Sequence, residues 1–341
     1  MKKILLLLNF FIINLFSNPI PILVTGGAGY IGSHTCKELS DAGYYPISID
    51  NLSYGSEDAV KWGPLVIGDI TDSNLLHEIF EKYKPEAVIH FAALKKVGES
   101  VKEPVNYYET NVSGTVALLK TMQKFHVNKI IFSSTSTVYN PQAALPFTEE
   151  SEKGPINSYS VSKLICEKII EDTSYANGLN YGILRYFNAA GMDGKAGLKR
   201  LPCSNNFLIS KVLESVKNGD STVHIYGTDY QTRDGTGIRD YIHVTDLAKA
   251  HVHALKHLTK KTQESITLNL GTGTGFSVLE VVTQAEKITG KTITKIATER
   301  REGDLPMAVA DPSKAREILG FIAENSDLET IIESEWQALQ D

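Results

Sequence analysis

The run Thr25-Gly26-Gly27-Ala28-Gly29-Tyr30-Ile31-Gly32 narrows the possible folds of this chain more than any other segment. Glycines at this spacing allow a tight turn from a strand into a helix, with the backbone left bare for a ligand. The context agrees. Ile20-Pro21-Ile22-Leu23-Val24 reads as the strand before the turn, and Tyr30 to Leu39 reads as the helix after it. A second strand, Tyr45 to Ile49, ends in Asp50, 18 residues after Gly32, near the ~20 expected for a ribose-binding acid. A carboxylate there accepts from an adenosine 2'-OH and repels a 2'-phosphate, so NAD is favoured over NADP. Gly26, Gly29 and Gly32 are therefore read as cofactor-binding, with Asp50.

The second informative segment is Tyr159-Ser160-Val161-Ser162-Lys163. A Tyr and a Lys four residues apart share one helix face, so the ammonium stands beside the phenol. A free Tyr titrates at about 10, and a neighbouring cation is expected to lower that toward working pH, making the phenol a general acid/base.

The remaining composition removes other classes. The chain has 341 residues, 42% of them hydrophobic, enough for a sizeable core and for two lobes. Its formal charge is -6, with no basic run, so no nucleic-acid partner is expected. Cys36, Cys166 and Cys203 are far apart and lack metal-ligand spacing. They read as free thiols in a reducing compartment, and no metal site is expected. The first 19 residues, Lys2-Lys3 followed by an apolar run from Ile4 to Phe16, resemble the start of a signal peptide. The run is too short for a comfortable membrane span. No small-residue cleavage site follows, and Ser17-Asn18-Pro19 leads almost directly into the first strand. We read a cytoplasmic enzyme whose extension is either a weak anchor or a start codon set too far upstream. Membrane contact is expected only if the extension anchors.

After Asp50, short apolar strands alternate with helices: strands at Pro64 to Ile67, Ala87 to His90, Lys129 to Phe132 and Tyr181 to Leu184, with helices at Asn74 to Lys82, Val105 to Phe125 and Asn157 to Ala176. This rhythm predicts an α/β fold, a Rossmann-type doubly wound parallel sheet with a smaller C-terminal substrate-binding lobe. The expected division is an apolar extension over 1–19, an NAD-binding domain over 20–188 and a smaller, mainly substrate-binding lobe over 189–341, with the chain able to cross between lobes.

Several strings together resemble the extended short-chain dehydrogenases/reductases of the NAD-dependent epimerase/dehydratase family, in particular its UDP-sugar 4-epimerases. They are Asp50-Asn51-Leu52, Gly68-Asp69-Ile70, His90 to Lys95, Val97-Gly98-Glu99-Ser100, Arg185-Tyr186-Phe187-Asn188, Asp234 to Val244 and Arg300 to Pro306. The resemblance implies tightly held NAD, its pyrophosphate on the amides from Gly26 through Tyr30 to Ile31. Asp50 and Asn51 take the adenosine ribose, and Asp69 and Ile70 the adenine. Phe91, Ala92, Lys95, Asn111 and Tyr186 complete the cofactor set. Tyr159 is the implied proton acceptor from the sugar 4'-OH, Lys163 the ribose ligand that tunes it, and Thr135 the hydroxyl partner of the sugar 4'-oxygen, where the family usually has Ser. For the UDP-sugar, the resemblance implies Lys95, Thr135, Asn188, Asn206, Tyr226 at the uracil, Arg239 and Arg301 at the diphosphate, and Asp304 at the ribose.

Related dehydratases place an Asp-Glu pair after the position of Thr135, where this chain has Ser136 and Thr137. Without a carboxylate, elimination of water lacks its acid/base, so the implied activity is 4-epimerisation, interconverting UDP-glucose and UDP-galactose. Ala308 stands where some members carry a bulky Tyr, so room for an N-acetyl group and turnover of UDP-GlcNAc/UDP-GalNAc are expected as an extension. The alternative is a 4-epimerase of a UDP-pentose or UDP-uronic acid. The helices Val105 to Phe125 and Asn157 to Ala176 resemble the pair through which the family forms homodimers.

Overall fold

The computed structural model describes residues 19–198, 207–260, 264–301 and 303–340. The apolar run of the extension, Cys203 and Asn206 lie outside these. In chain order the elements of the first half are β1 (Ile20–Thr25), α1 (Tyr30–Asp41), β2 (Tyr44–Asp50), β3 (Leu65–Ile67), α2 (Ser73–Tyr83), β4 (Ala87–His90), α3 (Val97–Lys102), α4 (Pro104–Tyr107), α5 (Gly114–Lys124), β5 (Lys129–Thr135), α6 (Ser158–Asn177) and β6 (Asn180–Tyr186). The second half carries β7 (Asn188–Ala190), α7 (Leu208–Lys217), β8 (Thr222–Tyr226), β9 (Ile238–His243), α8 (Val244–Leu258), β10 (Ile266–Leu270), β11 (Gly275–Ser277), α9 (Val278–Thr289), β12 (Thr294–Thr298), β13 (Met307–Ala308), α10 (Ser313–Leu319) and α11 (Leu328–Gln340).

Seven parallel strands form the main sheet in the order β10-β6-β5-β4-β1-β2-β3. Successive side chains point to opposite faces, and here both faces are covered. Ile22 and Val24 of β1 enter one core with Ile89, Ile131 and residues of α8, while Leu23 enters the other with Val88, Ile130 and Phe132. The strand order reverses between β1 and β4, which opens a crevice at the carboxyl edge of the sheet, where such sheets bind ligands.

Beyond residue 188 the chain does not stay in a second lobe. The helix α8 packs on the sheet against α1, and β10 pairs with β6 as the edge strand. Their apolar residues, Leu247, Ala250, Leu255 and Leu268 among them, are spent in the main core. The rest forms a small lobe of β7, β9, β11 and β13 with the separate pair β8 and β12. A second difference concerns the helix expected over Val105 to Phe125. Its axis runs from Pro104 to Lys124, but residues Tyr108–Ser113 form a wider π-helical turn. Such turns interrupt the regular ladder and are frequent at functional sites. This one carries Asn111.

Candidate active site

The glycine turn is built by close approach. Gly26 has φ +73, and a Cβ there would stand 2.9 Å from the Ala92 nitrogen. A Cβ on Gly32 would lie 2.1 Å from the Gly26 carbonyl oxygen, so only glycine lets α1 start this close to β1. The N-terminus of α1 has no side-chain cap and no acidic residue in its first turn. The positive end of a helix suits an anionic pyrophosphate. At the end of β2, the Asp50 carboxylate accepts from the Ala28 amide at 3.1 Å and the Leu52 amide at 2.8 Å, which fixes it against the turn. Burial raises its pKa, and these two amide bonds oppose the rise. Asn51 donates to Asp69 at 2.7 Å, and Ile70 is buried beside them on the wall of the same cleft. Cradle, acid and adenine-side residues are thus contiguous and fit a dinucleotide.

The far end of the cleft brings Phe91, Ala92, Lys95, Thr135, Tyr159, Lys163 and Tyr186 together. Asn157 caps α6 by accepting from the Ser160 amide at 3.0 Å, so Tyr159 sits in the first turn with Lys163 one turn later. Lys163 is 3% exposed and donates to the Ser133 carbonyl at 2.8 Å, its ammonium 4.8 Å from the Phe132 ring centroid. Burial lowers its pKa to about 8, against the raising influence of Cys166 and Glu167. The expected lowering of Tyr159 by this ammonium is not realised in the protein alone. Burial pushes the phenol up to about 12, and only a hydrogen bond with Thr135 acts the other way. The ammonium is turned to Ser133, and the phenol has lost its water. Thr135 ends β5 and also accepts from the Thr137 amide. Tyr186 is hydrogen-bonded to Ser133.

A buried polar network holds β5 and α6 in register. Glu167, one turn beyond Lys163, pairs with Arg185 of β6 at 2.6 Å and accepts from Ser134. The pair is satisfied on both sides, since Arg185 also donates to the Glu149 carbonyl at 3.1 Å and to the Tyr139 hydroxyl at 3.2 Å. Asn111, expected at the cofactor, is instead committed within the protein. Its carboxamide accepts from the Leu94 amide at 2.8 Å and donates to the Leu94 carbonyl at 3.0 Å and to Ser162 at 2.9 Å. It braces the Phe91-to-Lys95 segment from behind, and its neighbour Thr110 reaches the cleft wall.

The cleft opens into a second cavity lined by Asn188, Tyr226, Arg239, Arg301 and Asp304. The Arg301 guanidinium lies 3.9 Å from the Tyr226 ring centroid, and Arg239 lies 3.8 Å from Asp304 while donating to the Leu305 carbonyl at 2.8 Å. Two planar guanidinium groups beside an exposed ring suit a diphosphate joined to a base. Ala308 does not reach the cavity wall. It packs half-buried against the cluster that contains Phe187, a cleft-lining residue. Residues absent from the sequence reading also line the site, among them Tyr54, His224 and Phe207, the last shared by both cavities with its ring centroid 5.0 Å from the Lys95 ammonium. An aromatic residue close in sequence to an expected site residue, Asn51 or Asn206, was the signal for Tyr54 and Phe207.

Sequence and fold comparisons converge on one class. A model of the NAD dependent epimerase/dehydratase family matches residues 22–271, and the chain belongs to that family. It is similar to the UDP-glucose 4-epimerase of Rhizobium meliloti, 45% identical over 315 residues that span 92% of this chain and 95% of that one. A crystal structure of UDP-glucose 4-epimerase from Brucella ovis in complex with NAD superposes with a TM-score of 0.90 at 46% identity, covering 93% of this chain and 98% of that one. The UDP-Glc/GlcNAc 4-epimerase of Campylobacter jejuni is also similar, with TM-score 0.82, 37% identity and coverage of 94% and 99%.

Proposed function

We propose that this protein interconverts UDP-glucose and UDP-galactose by transient oxidation at C4', using NAD that it keeps bound. The observation that carries the reading is the convergence of Tyr159, Lys163 and Thr135 at one end of the glycine-cradled cleft, beside the cavity with two arginines. Held on the glycine turn, Asp50 and Lys163, NAD would supply the redox chemistry, reversible hydride transfer at C4' with no net consumption. The chain's residues bind, orient and move the proton. Tyr159 Oη takes the 4'-hydroxyl proton and later gives one back, Thr135 Oγ1 aligns that hydroxyl, and Lys163 holds positive charge near the phenol when it is ionised. Arg239 and Arg301 grip the diphosphate, so the sugar can turn over about a fixed anchor. Ser136 and Thr137 provide no carboxylate for dehydration.

The test is direct. Purified protein given UDP-galactose and no added NAD is expected to form UDP-glucose, resolved by chromatography. Absence of product with NAD supplied contradicts the reading and favours a UDP-pentose or UDP-uronic acid. We extend the proposal to UDP-GalNAc on the likeness to the UDP-Glc/GlcNAc 4-epimerase of Campylobacter jejuni, since Ala308 itself lies off the cavity wall. That extension fails if UDP-GalNAc is recovered intact while UDP-galactose is converted.

The working unit we propose is a homodimer. Val101 is 66% and Val105 73% exposed on the surface of α3 and α4, which pack on α6, so this helical face carries apolar area that a second copy would cover. Light scattering is expected to report twice the chain mass, falling to one chain in Val101→Glu/Val105→Glu. We place the enzyme in the cytoplasm, in keeping with free, buried Cys36 and Cys166.

A further inference from the structure

We propose that Tyr54, Lys96 and Glu99 form a clasp across the mouth of the cleft that retains the dinucleotide, an inference that rests on the reading of this cleft as an NAD site. The strands β2 and β4 flank β1 in the sheet, and the glycine turn follows β1. Tyr54 comes from the segment after β2, and Lys96 and Glu99 from the segment after β4. A contact between them joins the segments on either side of the strand that ends in the turn, where the proposed reading puts the pyrophosphate. The Tyr54 hydroxyl donates to Glu99 at 3.3 Å, and the Lys96 ammonium lies 4.5 Å from the Tyr54 ring centroid.

Both halves are anchored. On one side the Ser56 amide donates to the Ala28 carbonyl at 3.1 Å, and Tyr54 packs with the cluster containing Tyr30. On the other, the fully buried Tyr107 donates from its hydroxyl to the Lys96 carbonyl at 2.8 Å and accepts from the Lys96 amide at 3.0 Å, placing that hydroxyl 3.4 Å from Glu99. The Lys96 ammonium, 3.8 Å from Glu99, offsets a carboxylate that would otherwise repel the diphosphate beneath it. The moving part is therefore small: one tyrosine ring lifting from one ion pair lets the ligand out.

The test reads cofactor exchange rather than turnover. Protein as purified is mixed with radiolabelled NAD, and uptake of label onto the protein is followed by filter retention. Tyr54→Ala and Glu99→Gln are expected to exchange about tenfold faster than the parent, as loss of a charge-assisted contact implies. Tyr54→Phe, which keeps the ring over Lys96 and preserves packing if the alanine variant fails to fold, is expected between them. Exchange at the parental rate in Tyr54→Phe and Glu99→Gln overturns the clasp. A parent that carries no NAD and takes up no label overturns the cofactor reading, and the clasp with it.

Discussion

Tyr159 has an elevated pKa in the protein because it is buried, and that sets what the rest of the site must do. A phenol at about 12 is a poor base near neutrality, so its ionisation depends on positive charge brought close to it. Lys163 is placed for this, although in the protein alone its proton is shared with the Ser133 carbonyl. Replacing Tyr159 by Phe is expected to lower kcat by roughly 10²–10⁴ while leaving KM for UDP-galactose within about threefold, because the proposed mechanism assigns binding to the arginines and proton transfer to the phenol. A steady-state assay over a range of UDP-galactose separates the two. At this scale the spacing of Tyr159, Lys163 and Asp50 was legible, because each reports a local geometry. Asn111 was not: its partners are Leu94 and Ser162, 17 and 51 residues away, and nothing in the sequence says that they exhaust its amide. Tyr54 and Phe207 were missed for the same reason, since their place depends on which loops the sheet sets side by side.

The strand, glycine turn and α1 act as a single element whose closeness depends on missing side chains. Gly32→Ala puts a Cβ 2.1 Å from the Gly26 oxygen and 2.9 Å from the Gly27 Cα, both backbone atoms that cannot rotate away. The helix must then retreat from the turn. We expect a loss of about 3 kcal/mol in denaturant unfolding, together with protein that purifies without NAD. Unchanged NAD content would contradict this account of the cradle. Most elements could be read from periodicity because apolar alternation and caps such as Asn157 are local. The π-helical turn at Tyr108–Ser113 could not, since five-residue hydrogen bonding follows from what Asn111 and its neighbours must reach. Nor could the return of β10 to the sheet edge, because a short apolar strand does not announce its neighbour.

Across the whole molecule, His34, His90 and His251 are buried histidines held largely neutral, their pKa values lowered to about 4, 3 and 4, chiefly by burial. In the unfolded chain each takes a proton near 6.5. Between about pH 6.5 and 4 the unfolded state therefore binds more protons, and stability falls as acid is added. The expected result is a Tm that drops steadily from pH 6.5 to 4.5, with a smaller drop in His251→Leu; a flat profile contradicts it. The proposed mechanism puts hydride chemistry in the cleft and diphosphate anchoring in the adjoining cavity, so the sugar is expected to be oxidised and reduced at the same carbon without exchange with solvent. Proton NMR of UDP-galactose incubated with the protein in D2O, with no added NAD, tests it most directly. UDP-glucose that retains its C4' hydrogen as protium is the expected product. Deuterium at C4', or no conversion even with NAD supplied, would contradict it.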